Sequence, residues 1–173
     1  MRPEAEIGKQ GRYRSPINTH ILEWNNTLAG LAEERAQIER SGQAVLVEGK
    51  FDQLAVKEAV QQLPEADRPG TVALCGASPR GQSFGADTPE EAAGVLADID
   101  AEEICLLFDA DERGREAALE AGPLLSNLGT RVTIARLPGD APEGLEADDP
   151  GDLYRDGGAE ALLSVLERAR KRG

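Results

Sequence analysis

The chain has 173 residues, 40% hydrophobic and only 3% aromatic, which is enough for one domain with a core of Leu, Val, Ile and Ala. Its net charge of −13 argues against broad coating of nucleic acid, which needs an excess of Lys and Arg, but leaves room for a nucleic-acid enzyme whose local positive charge comes from metal ions. No apolar run approaches the roughly 18–20 residues that span a bilayer, and the first residues lack the apolar stretch of a signal peptide, so a cytoplasmic protein without membrane contact is expected.

Residues 1–26 are polar and lack periodicity, and are expected to form an extended or loosely ordered arm ahead of a single domain over 27–173. Helical spacing over 27–40 places Leu28, Leu31, Ala32 and Ile38 on one face, with Ser41-Gly42 as the stop. Ala44–Val47 reads as a buried strand, Phe51 to Leu63 as an amphipathic helix ended by Pro64, and Thr71–Leu74 as a second strand. A Gly-, Ser- and Pro-rich loop over 77–87 leads to a helix capped by Thr88, with Pro89 in its first turn, running to about Leu96. Ile104–Phe108 is the most apolar strand. A helix from Arg115 to Leu128, a strand over Arg131–Ala135, an acidic loop over 138–152 and a last helix from Gly158 to Lys171 follow. Strands alternating with helices imply a parallel sheet covered on both faces.

Cys75 and Cys105 sit in apolar runs and are expected as buried free thiols, and the single His20 receives no role. The basic tail of Arg168, Arg170, Lys171 and Arg172 either touches phosphates or complements the negative end of a terminal helix.

Ligands of open α/β sheets bind at the carboxyl ends of the strands. Two strands here end in acids. Glu48 follows the first, with Gly49 allowing a tight turn, and Asp109 follows the third, with Asp111 two residues on. Residues two apart in extended chain point the same way, so Asp109 and Asp111 can face one point, and Asp52 lies about one helical turn past Glu48. Crowded carboxylates repel one another unless a cation joins them, and oxygen-only ligands favour Mg2+ or Mn2+ over zinc. Lys50 and Arg113 flank the acids and are candidates for holding phosphate oxygens. In a chain this rich in Asp and Glu a lone D-x-D is ordinarily a solvated loop; its position directly after an apolar strand is what argues for a metal site.

At these residues the sequence resembles the Toprim family, which carries E-G after its first strand and D-x-D after its third, here Glu48-Gly49 and Asp109-Ala110-Asp111. The strings Val-Glu-Gly-Lys-Phe-Asp at 47–52 and Leu-Phe-Asp-Ala-Asp-Glu-Arg-Gly-Arg-Glu-Ala-Ala at 107–118 look like the bacterial-type primase version, and Asp149-Pro150-Gly151-Asp152 resembles its late D-P-D element with an added Gly. The resemblance covers about residues 44–165. It implies an α/β Toprim (Rossmann-like) fold with a four-stranded, mainly parallel sheet flanked by helices, and a motif core over about 44–138. It further implies that Glu48 is a general acid or base, that Asp109 and Asp111 hold Mg2+, and that Asp52 and Asp149 are auxiliary ligands.

The function expected on that basis is a Mg2+-dependent nucleic-acid enzyme, primase-like or nuclease-like, acting on DNA rather than RNA. The zinc-binding domain, most of the amino-terminal catalytic subdomain and the helicase-binding domain of primases are not recognisable in this sequence, so a protein partner supplying missing domains is part of the expectation. The alternative is a non-catalytic accessory protein of DNA replication or repair that binds metal or nucleic acid.

Overall fold

The computed structural model describes residues 28–74, 89–137 and 139–173. The arm over 1–26, His20, Cys75, the 77–87 loop and the Thr88 cap lie outside the described residues. The elements are β1 (Leu28–Ala29), α1 (Leu31–Ser41), β2 (Gln43–Val47), α2 (Lys50–Val60), β3 (Gly70–Leu74), α3 (Pro89–Ala97), β4 (Glu103–Leu106), α4 (Glu112–Asn127), β5 (Arg131–Ile134) and α5 (Pro150–Arg172). The strands form one sheet in the order β1-β3-β2-β4-β5. Four of them run parallel, and β1 joins the β3 edge antiparallel.

The parallel sheet follows from strands that are apolar on both faces. In β2, Ala44 and Leu46 enter one core while Val45 and Val47 enter the other; Ile104 and Leu106 of β4 likewise oppose Cys105 and the following Leu107. This two-residue alternation with both faces buried demands a helical layer on each side. The first core takes residues of α1, α3 and α4, and the second takes α2 and α5. The Cys105 thiol is free and buried, and burial pushes it up to about 11, which leaves it unreactive at neutral pH.

Three expectations need correction. The sheet has a fifth strand among the described residues, because Leu28 and Ala29 pair with Leu74 and Ala73 instead of opening the first helix. Gly30, at φ 80°, stands between them and α1 in the left-handed region, where a helix cannot pass. The side-chain amide of buried Gln53 donates to the carbonyls of Ala29 (3.2 Å) and Thr71 (2.7 Å), fastening the new edge to α2. Second, the acidic loop ends earlier than expected: Asp149 caps α5 by accepting the Asp152 N–H at 2.6 Å, with Pro150 in the first turn. Gly158, the expected helix start, is instead a non-helical kink (φ 66°) inside α5. Third, α4 begins three residues before Arg115, directly after the D-x-D.

The basic tail is occupied internally. Arg168 donates to the carbonyls of Asp140 and Ala141 (both 3.0 Å), Arg170 pairs with Glu103, and Lys171 pairs with Glu167. Arg172 forms an ion pair with Asp140, whose residue is 4% exposed. The Asp140 carboxylate also accepts from the Arg136 N–H at 2.6 Å. These bonds tie the end of α5 to the turn after β5 and so fix the loop that carries Asp149. No helix among the described residues is long and apolar enough to cross a membrane.

Burial alone would raise the Asp140 pKa, but the Arg172 guanidinium and the Arg136 N–H outweigh it and hold the carboxyl below the ordinary value of 3.8. Its stabilising contribution is therefore present above that ordinary value and lost as pH falls through the folded-state pKa. Arg172→Ala is expected to lower stability by about 1–3 kcal/mol at neutral pH, the cost of leaving a buried charge short of a partner. Urea unfolding at neutral pH, and again near pH 3, checks this: the difference from the unsubstituted protein shrinks in acid.

Candidate functional site

The carboxyl edge of the parallel strands gathers five acids from three stretches of the chain. Glu48 follows β2, Asp52 lies in the first turn of α2, Asp109 follows β4, Asp111 caps α4, and Asp149 caps α5. Four of them are fastened through backbone N–H groups. Glu48 accepts from the Asp109 N–H (2.9 Å), Asp52 from Gly151 (3.1 Å), Asp111 from Gly114 (2.8 Å) and Asp149 from Asp152 (2.6 Å). A backbone bond between the Ala110 N–H and the Asp148 carbonyl, 2.7 Å, draws the acidic loop onto the D-x-D turn.

Asp109 differs from the others. It is half-buried, and its Oδ1 is buried without a hydrogen-bond partner. Burial is the largest cause raising its pKa, followed by the charges of Glu48, Asp52, Asp149 and Asp111, and together they push it up to about 8. Glu48 is also raised, by burial and then by Asp111 and Asp52, against the opposing Asp109 N–H and the Arg113 charge. Asp52 is raised by burial and by Asp149, against the Gly151 N–H. A carboxyl that must ionise among four others, with an unpartnered buried oxygen, lacks a positive charge.

The sequence-predicted acids are thus brought to one edge and feel one another's charge. Among the described residues, however, no three His, Cys, Asp or Glu side chains form a ready-made ligand set for one ion. Each acid used as a cap points one oxygen at the backbone, and mutual repulsion opposes closer approach. Arg113, exposed in the first turn of α4, is near enough for its charge to lower the Glu48 pKa. Lys50 is exposed at the start of α2.

Gly114 was not singled out from sequence, yet the site cannot form without it. A Cβ there would lie 2.7 Å from Glu48 Oε1, 2.9 Å from the Asp109 nitrogen, and closer still to the Asp109 carbonyl oxygen. A glycine in a helix's first turn, where it weakens the helix, was the signal available. Gly151, whose N–H reaches Asp52, was visible only as an extra residue in the late acidic element.

A mostly parallel sheet whose carboxyl edge carries E-G after one strand and D-x-D after another defines a protein of the Toprim type. Residues 45–152 match the Toprim-like family, and the chain belongs to it. It is 28% identical over 165 residues to the DNA primase of Chlamydia pneumoniae, a match covering 95% of this chain and 24% of that protein. Among solved structures it resembles the Aquifex aeolicus primase (zinc-binding and RNA polymerase domains) at a TM-score of 0.67 and 27% identity, covering 93% of this chain and 34% of that one. It also resembles the RNA polymerase domain of the Mycobacterium tuberculosis primase in complex with double-stranded DNA, at a TM-score of 0.56 and 28% identity, covering 87% and 42%. The chain thus spans about a quarter of the length of the Chlamydia relative.

Two outcomes are expected. Gly114→Ala should lose about 1–3 kcal/mol through overpacking against the Asp109 backbone, read from urea midpoints. The raised Asp109 pKa stabilises the fold fully below the ordinary 3.8, and that contribution is lost as pH rises through about 8. In metal-free buffer, Asp109→Asn should therefore show flatter stability with pH and be more stable than the unsubstituted chain near pH 9, roughly one unit above that pKa. Parallel pH profiles for the two proteins would contradict the assignment.

Proposed function

We propose that the chain is a Mg2+-dependent (or Mn2+-dependent) nucleic-acid enzyme of the Toprim type, performing nucleotidyl or phosphodiester transfer. The observation that carries this reading is Asp109: a half-buried carboxyl with an orphaned Oδ1, its pKa pushed up to about 8 by burial and four neighbouring acids. The donor set is oxygen only, which suits a hard divalent cation. Asp109 and Asp111 would hold that ion, with Asp52 and Asp149 as auxiliary ligands. When bound, it would neutralise charge developing on phosphoryl oxygens.

Glu48 is the group for proton transfer. Its raised pKa brings it nearer the working range of a general acid or base, and the Asp109 N–H fixes its carboxyl. Lys50 and Arg113, at the starts of α2 and α4, are the residues we assign to phosphate oxygens of the substrate. The substrate proposed is DNA in preference to RNA, a reading supported by the likeness to a primase domain whose structure was solved with double-stranded DNA. Because the chain matches about a quarter of the Chlamydia primase's length, the proposal includes a further protein surface that grips the strand.

A second reading, a non-catalytic accessory protein that binds metal or nucleic acid, is favoured by the acidic balance of the chain, whose net charge of −13 disfavours gripping a long strand unaided. One experiment separates the two. The protein is incubated with Mg2+ or Mn2+ and labelled single- and double-stranded DNA and RNA, with and without nucleotides, beside Glu48→Gln and Asp109→Asn. The enzyme reading expects metal-dependent cleavage or extension that falls at least about 100-fold in both variants. Metal or nucleic-acid binding with no chemistry supports the accessory reading, and neither binding nor chemistry rejects both.

A further inference from the structure

Beside the acidic edge, between α4 and the chain leaving β5, lies a cavity of about 490 Å³. That volume falls within the roughly 300–1,000 Å³ range of small-ligand pockets. Its walls include Phe108, Ala118, Leu119 and Ile134, and Asp109 belongs to its lining as well as to the carboxylate cluster. Two arginines also line it. The Arg115 guanidinium donates to the Ala110 carbonyl (2.6 Å), and the Arg136 backbone is held by its N–H to the Asp140 carboxylate (2.6 Å). Leu119, 72% exposed, leaves a large apolar side chain in water at this opening.

None of the roles proposed for the acids requires such a space. Apolar walls with arginines beside them suit a flat aromatic ring, which buries its faces on aliphatic carbon and attracts cations to its π-system. The shared Asp109 adds a second requirement: whatever enters the cavity ends beside the proposed metal site, so a group that favours a metal-lined carboxylate edge should be attached to the ring. A nucleotide meets both requirements. We propose that this cavity receives an unstacked nucleobase whose attached phosphate is directed to the carboxylate cluster through Asp109. The base comes from a free nucleotide or from the end of a strand. The phosphate half of the proposal rests on the metal reading above, and the base half does not.

The test is methyl-resolved NMR of the full chain titrated with adenosine, with tripolyphosphate plus Mg2+, and with ATP plus Mg2+. Adenosine and ATP should move the methyl signals of Ile134 and Leu137, two lining residues, while tripolyphosphate, which has no ring, leaves them in place. Ala118→Leu, which fills the cavity, should weaken ATP at least about tenfold. Leu119→Glu, at an exposed position where folding is not at risk, should do the same; in both variants tripolyphosphate keeps its affinity. A short single strand carrying 2-aminopurine at its end distinguishes the sources. Altered emission on binding assigns the strand end, and unaltered emission with intact ATP shifts assigns the free nucleotide. Ile134 and Leu137 methyls that respond to neither adenosine nor ATP would overturn the proposal. Tripolyphosphate binding that ignores Mg2+, with the adenosine response intact, would instead defeat the metal reading alone.

Discussion

The repulsion among five carboxylates held at one half-buried edge is the constraint on which the rest of the structure turns. Left in water, five acids separate. Here the fold prevents this by bonding four of them to backbone N–H groups, three of those at helix starts where the backbone already favours negative charge. Asp109, at the centre, takes the electrostatic cost, as its raised pKa and orphaned oxygen record. The strained arrangement is tolerable because the sheet beneath it is buried on both faces, so the edge cannot relax without disturbing two cores.

The remote fastenings serve the same end. Asp149 reaches the cluster only because the loop after β5 folds back, and that loop is held at three points: Ala110 to Asp148, Gly151 to Asp52, and the Asp140 turn to the arginines of α5. The basic side chains at the end of α5 therefore act on the site from a distance, by securing the return of the acidic loop. A reading that assigned them to phosphate contact would have overlooked that work.

Much of this was legible in the sequence, for identifiable reasons. β2, β3 and β4 are uninterrupted apolar runs that end in glycine or acid, and strands buried on both faces leave that mark. Glu48, Asp109 and Asp111 could be assigned to the sheet's carboxyl edge because Glu48 and Asp109 stand directly after such runs and Asp111 two residues further on. β1 was missed because two residues carry no period, and its place depends on the Gln53 amide and on hydrogen bonds from β3. The start of α5 was missed because Asp149-Pro150, an ordinary helix opening, was read only as a metal motif. Gly114 was passed over because its role is steric: the need for an empty space appears only once Glu48 and the Asp109 backbone surround it. The convergence of Asp109 with Asp111 was expected from strand alternation, whereas the structure achieves it with a helix cap.

The bonds that orient the acids join distant parts of the chain. Glu48 and Asp109 are 61 positions apart, and Asp52 and Gly151 are 99 apart. Closing such long loops carries an entropic cost that must be met before any contact across them can form. As the chain leaves the ribosome, Glu48 therefore emerges 61 residues ahead of its partner and Asp52 99 residues ahead of its own, so this part of the acidic edge is built from contacts between distant stretches and not within any local segment.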